Sequence, residues 1–130
     1  RRGSKMVRSL ISVLVAALIL TCGAIYEQFY IDRTFTDFES RLELIYEKTE
    51  QETVTEDDVS AVIDKWHDNK RKLHVFLSHN DIKEFDLWLA ETLSYVKQKN
   101  YGEAIDKIEV TIELVKQVPK GYRIRFENIF

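Results

Sequence analysis

The sequence has little that would interrupt a chain and nothing that would staple it. It contains one proline, four glycines and one cysteine in 130 residues. A single cysteine excludes an internal disulfide, so any folded part must be held by packing. So little proline and glycine, with no low-complexity stretch, leaves long uninterrupted segments and reads as helical. A glycine-rich phosphate loop and a serine elbow are both missing. The lone Cys22 lies in an apolar run, so nucleophilic catalysis has no residues to work with and neither catalysis nor a cofactor is expected. Basic clusters are scarce too. All 22 acidic residues follow Tyr26 with 15 of the 19 basic ones, a net −7, against +4 before it. A surface for nucleic acid needs clustered Lys and Arg, and the one basic knot, Lys70, Arg71 and Lys72, sits in an acidic context, so nucleic acid is excluded as a partner.

Charge is missing altogether from Ser9 to Tyr26, SLISVLVAALILTCGAIY. At 1.5 Å per residue such a run reaches roughly 26 Å, about the hydrocarbon thickness of a bilayer. Val13, Leu14, Val15, Leu18, Ile19 and Leu20 leave no polar face, which separates it from an amphipathic soluble helix. Arg1, Arg2, Lys5 and Arg8 precede it and Tyr26, Phe29 and Tyr30 follow. The positive-inside rule then places the N-terminus in the cytoplasm and the rest outside, with the aromatic rings at the interface. Two processing alternatives stand beside this: a cleaved secretory signal, and lipidation of Cys22, for which Leu20 and Thr21 are poor preceding residues. RRGSK precedes the only methionine, and Met6 is the expected native start.

The remaining hundred or so residues suffice for one small core. Thr36 with Glu39 has capping-box spacing ahead of Phe38, Leu42 and Ile45. Thr55 with Asp58 opens a second helix, whose apolar face is Val59, Val62, Ile63, Trp66, Leu73, Phe76 and Leu77. Ser78 with Asp81 opens a third, with Ile82, Phe85, Leu89, Leu93 and Val96. A fourth begins near Gly102, carries Ala104, Ile105, Ile108, Ile112 and Val115, and is expected to stop at Pro119. The segment from Glu27 to Phe35 is read as an outward continuation of the membrane helix. The fold expected is all-α: one transmembrane helix, then an antiparallel bundle of about four helices built as two helical hairpins. The boundaries are 1–8 for a basic cytoplasmic N-terminus, 9–30 for the anchor, 31–119 for an extracytoplasmic bundle and 120–130 for an extended tail.

Two resemblances accompany this reading. Trp88, Tyr95, Ala104 and Ile108, with the turn KNYGEAIDKIE, resemble one tetratricopeptide repeat, although Glu91, Thr92 and Thr111 replace its small or apolar positions. Two hairpins fall short of the roughly three needed for a stacked solenoid, so a closed bundle with repeat-like turns is expected. The whole chain resembles the domain of unknown function four-three-six-three, a family of small bacterial membrane-anchored proteins. The resemblance rests on the anchor, DKWHDNKRKLHVFLSHNDI, LAETLSYVKQKNYGEAIDKIEVTIELVKQVP and FENIF. It implies location and fold and brings no activity.

Candidate sites follow from spacing. His67, His74 and His79 with Asp64 and Asp81 invite a metal reading, but His67 and His74 stand two turns apart where zinc ligands usually sit one turn apart. Asp57, Asp58, Asp64 and Asp68 lack the glycine-centred spacing of a calcium hand and read as a solvated helix start. Trp66 and Trp88 are assigned to the core. In the tail, Tyr122, Ile124 and Phe126 alternate with Arg123 and Arg125, a strand-like period able to meet a partner or cover the bundle's own face. In the anchor, Ser9, Ala16 and Gly23 recur every seven residues and offer a stripe of small side chains to another membrane helix or a second copy. The function expected is an anchored interaction or scaffold protein that binds or stabilises another membrane or envelope protein. A metal enzyme or sensor using His67 and His74 and a ligand-binding bundle are the alternatives.

Overall fold

The computed structural model describes the backbone of residues 2–129 and the side chains of residues 3–121. It is all-α, with four helices: α1 (Arg2–Glu50), α2 (Glu56–Leu73), α3 (His79–Lys97) and α4 (Tyr101–Ile129). They form two compact units, Arg1–Ile31 and Asp32–Phe130.

The first unit is the N-terminal part of α1. Leu10, Ile11, Val13, Leu14, Val15, Leu18, Ile19 and Leu20 all stand exposed. Each forgoes about 1.5–3 kcal/mol of burial in water, and together they outweigh the roughly 5–15 kcal/mol that stabilises a whole domain. Thr21 donates its hydroxyl to the Ala17 carbonyl at 2.8 Å, so its one polar group is satisfied within the helix, as hydrocarbon requires. By length and composition this helix is able to cross a membrane.

The second unit is a bundle in which each helix buries one stripe at intervals of three and four. α1 contributes Phe35, Phe38, Leu42, Ile45 and Thr49; α2 contributes Val59, Val62, Trp66, Asn69 and Leu73. α3 supplies Phe85, Leu89, Thr92 and Val96, and α4 supplies Ala104, Ile108, Thr111 and Val115. At one end four rings meet: Trp66 lies 4.6 Å from Phe85 and 5.6 Å from Phe38, and Phe35 lies 6.3 Å from Phe85. The buried indole donates Nε1–H to Asp86 Oδ1 at 2.7 Å, and Lys70 Nζ closes on Asp86 Oδ2 at 3.1 Å. At the other end Val54, Val59, Val96 and Ala104 form a second cluster with Leu93, Tyr95 and Tyr101 against it.

Every helix stripe also carries one buried polar residue. Thr49, Thr92 and Thr111 donate to the carbonyls one turn back, Ile45, Trp88 and Lys107, at 2.6, 2.8 and 2.8 Å. That internal bond lets a threonine occupy a core position without an orphaned hydroxyl. Asn69 differs: its buried Nδ2 has no hydrogen-bond partner among the described residues.

The expected caps at Thr55 and Ser78 form. Thr55 Oγ1 accepts from Asp58 N at 3.1 Å while Asp58 Oδ2 accepts from Thr55 N at 3.0 Å, and Ser78 Oγ accepts from Asp81 N at 3.1 Å. The helix ends rest on left-handed residues other than glycine. Glu52 (φ 58°) and Lys99 (φ 57°) each donate three residues back, to Thr49 and Val96. Thr53 and Asn100 reach five back, to Lys48 and Tyr95. This pattern terminates a helix in the position glycine usually holds.

Three expectations are corrected. Thr36 and Glu39 cap nothing: Thr36 lies inside α1, because a capping box acts only where the preceding backbone leaves the helix, and no glycine or proline precedes it closely. Anchor and first bundle helix are therefore one element, and the chain has four helices rather than five. Pro119 does not stop α4, which runs on to Ile129, so helix stands over residues 120–129 where an extended tail was expected. Proline removes one hydrogen bond and crowds the carbonyl four residues back. Beyond it, however, Tyr122, Phe126 and Ile129 continue in sequence the spacing of Ala104, Ile108, Thr111 and Val115. Over nine residues a period of two and a period of 3.6 select overlapping positions.

Three outcomes are expected in chemical or thermal denaturation. Trp66→Ala costs about 3–5 kcal/mol, enough to unfold much of the population. Lys99→Gly stabilises by about 0.5–1 kcal/mol, because the left-handed strain of about 1–2 kcal/mol exceeds the entropy glycine adds to the unfolded chain. Thr55→Ala costs about 1 kcal/mol. The Thr55 backbone N–H, with a smaller contribution from Lys48, holds the Asp58 carboxyl below its ordinary 3.8. A carboxyl depressed in the folded state stabilises above its unfolded pKa. The advantage of wild type over Asp58→Asn is therefore full at neutral pH and shrinks as pH falls below 3.8.

Candidate functional site

At the surface, α1 and α4 meet through polar side chains. Tyr46 donates its hydroxyl to Glu109 Oε1 at 3.0 Å, and Lys116 Nζ lies 3.8 Å from Glu39 Oε1. Alongside runs an open furrow of about 420 Å³ where Glu43, Glu47, Glu50 and Glu109 surround Tyr46, with Ile112 in its floor and Lys116 beside it. The hydrogen bond to Glu109, with the charge of Glu50 adding to it, pushes the Tyr46 phenol up to about 12. The phenol is thus a fixed proton donor at neutral pH, unsuited to act as a nucleophile or base. The furrow's chemistry is that of a negative surface suited to Lys or Arg side chains. A smaller furrow of about 240 Å³ lies beside Phe35, Thr36, Glu39, Val115 and Pro119.

The residues singled out from sequence are dispersed. His67, His74 and His79 are all exposed. His74 Nδ1 lies 2.6 Å from the Arg71 carbonyl oxygen, a contact that closes the end of α2. Asp58 is committed to its cap and to Lys48, Asp68 to Arg71 at 3.3 Å, and Asp57 and Asp64 face solvent. Among the described residues no group of three or more His, Cys, Asp or Glu is gathered to hold a metal ion. Trp66 is core, as expected, but Trp88 is only half-buried. Lys107 Nζ sits 5.1 Å from its ring centroid, 6.0 Å from that of Tyr95, and 3.6 Å from Glu91. This cation over two rings spans α3 and α4 at their surface.

Ser9 and Ala16 are exposed, and a methyl group added at Gly23 would meet open space, so the small stripe is uncovered within the first unit. The side chains of Tyr122, Ile124 and Phe126 lie outside the described residues. The furrow was missed in the sequence. Glu43, Glu47 and Glu50 recur at intervals of four and three beside the buried stripe of α1 and were open to notice. That Tyr46 and Glu109 meet required knowing that the first and last helices pack together.

No curated protein and no solved structure matches the chain. A family model does, described as Domain of unknown function (DUF4363), over residues 25–129. The match opens at the close of the apolar run and takes in the rest of α1 and all of α2, α3 and α4. The chain therefore belongs to the DUF4363 family.

Proposed function

We propose that this protein is a membrane-anchored interaction or scaffold module without catalytic activity. Its N-terminus lies in the cytoplasm, its helical unit lies outside, and its work is to bind or stabilise another membrane or envelope protein. The observation that carries the reading is the contrast between the two units. One leaves an unbroken apolar helix surface uncovered; the other buries its apolar stripes and keeps charged groups scattered or paired on its surface. Membrane insertion accounts for the first, and a folded platform for docking accounts for the second.

The orientation rests on the basic residues before the run, Lys5 and Arg8 nearest to it. The helical unit is read as two hairpins, α1 with α2 and α3 with α4, whose repeat-like turn lies between α3 and α4. The docking surfaces of this reading are the acidic furrow, whose carboxylates favour a basic segment, the stripe Ser9, Ala16 and Gly23 within the bilayer, and Tyr122, Ile124 and Phe126 on the last turns.

Two measurements test this. With Gln98→Cys in a Cys22→Ser background, an impermeant thiol reagent labels intact cells as strongly as lysed ones; protection until lysis reverses the orientation. Photo-crosslinkers placed at Glu47 and at Tyr122 in native membranes yield a discrete joined product. Charge reversal at Glu43 and Glu47 lowers the Glu47 product at least about fivefold. Absence of any product at both positions, heterologous or self, refutes the docking role.

A further inference from the structure

The connection between α2 and α3 combines features that the rest of the surface keeps apart. From Lys70 to Asn80 the chain carries Lys70, Arg71, Lys72, His74 and His79 and no acidic residue, within a unit that is acidic as a whole. Val75 is 75 % exposed, the highest among the large apolar side chains described. This exposure is built in. Leu73 and Leu77 are buried on either side, and the backbone turns tightly between them, with Phe76 N and Leu77 N donating to the Leu73 carbonyl at 2.8 and 2.9 Å. The turn holds Val75 outward, with Phe76 half-buried next to it. Lys70 is occupied by Asp86, but Arg71 keeps 78 % of its side chain exposed even while touching Asp68, and Lys72 is exposed.

The position of this turn in the bundle is the second observation. It lies at the end where Phe35, Phe38, Trp66 and Phe85 meet, which is the end where α1 enters the unit at Asp32. Lys116 and Lys120 of α4 lie beside Phe35 at that same end together with Asp32 and Glu39, the latter 3.8 Å from Lys116. The opposite end carries Glu47, Glu50, Glu52, Glu56 and Asp57 about the α1–α2 connection. The turn thus sets a cationic stretch without acidic residues, among charges of both signs, at the end where the chain arrives from the apolar run, while acidic residues predominate at the other end. By connectivity alone, the five residues Glu27 to Ile31 separate the run from the first residue of the second unit.

From this we infer that the α2–α3 turn is a second membrane contact. Val75 and Phe76 enter the headgroup region of an anionic bilayer while Arg71 and Lys72 meet lipid phosphates. The inference rests on the anchored reading above. A short apolar tip with two cations would bind a membrane weakly if free. Tethered next to the surface, it docks as an intramolecular event, for which modest affinity suffices. Docking would fix the rotation of the bundle about its anchor and turn the acidic end away from the lipid.

The test uses the full chain in vesicles. In a Cys22→Ser background, Val75→Cys and, separately, Glu52→Cys carry an environment-sensitive fluorophore, in neutral phosphatidylcholine vesicles and in vesicles about one-third phosphatidylglycerol. Flotation reports the anchor independently of the fluorophore. The expected result is flotation in both lipids, a blue-shifted and quencher-shielded probe at position 75 only with anionic lipid, and an aqueous probe at position 52 throughout. Arg71→Glu with Lys72→Glu lowers the docked population at least about tenfold, as does molar salt. Both side chains are exposed, so Trp66 emission should confirm an unchanged fold. A chain that floats with an aqueous probe at position 75 overturns this inference and leaves the anchor intact; a chain that fails to float overturns both. Shielding that is equal in neutral lipid overturns recognition of phosphate. Shielding that follows protein density rather than lipid charge assigns the turn to a second copy instead.

Discussion

Trp66 holds the helical unit together. A fully buried indole brings a large apolar surface and one obligatory N–H, and both must be satisfied at once. The rings of Phe38 and Phe85 take the surface, while Asp86, steadied by Lys70, takes the N–H. One residue on α2 thereby fixes α1 by packing and α3 by both packing and a hydrogen bond. The lysine is partly exposed and contributes little by charge; its role is to keep Asp86 where the indole needs it.

The rest of the core follows from keeping that cluster in register. The stripes on all four helices advance by three and four, and threonines stand at Thr49, Thr92 and Thr111 where an aliphatic residue would be the default. Bonding back to their own helices, they fill volume without demanding a partner across the bundle. Asn69, the next place after Trp66 in the α2 stripe, has no such solution, and its Nδ2 is the one buried side-chain atom left unpaired among the described residues. A buried polar group of this kind weakens packing, and it disfavours alternative alignments in which it would be more deeply enclosed.

Much of this was legible in the sequence. The uncharged run, the Thr55 and Ser78 caps, and the stripes through Phe38, Val59, Phe85 and Ala104 are patterns set by local physics, and local physics prevailed there. Failures arose where a signal depended on context. The Thr36–Glu39 motif caps only a chain that has already left the helix, and here none had. Pro119 carries a local penalty, yet the backbone stays helical beyond it to Ile129. The ends at Glu52 and Lys99 went unmarked because non-glycine residues occupy the left-handed position, so the sequence lacked its usual punctuation. Thr92 and Thr111 look polar by type and are core by bonding. The furrow by Tyr46 depends on a pairing between residues far apart in sequence, which periodicity does not encode.

That pairing of first helix with last has a polar rim and an apolar layer. The line between α1 and α4 carries half-buried Tyr46 on exposed Glu109 and exposed Lys116 near half-buried Glu39 at its rim, with buried Phe35 and Val115 beside it. Water competes readily for such rim contacts, so the apolar side chains buried beneath them carry more of the cohesion between first helix and last.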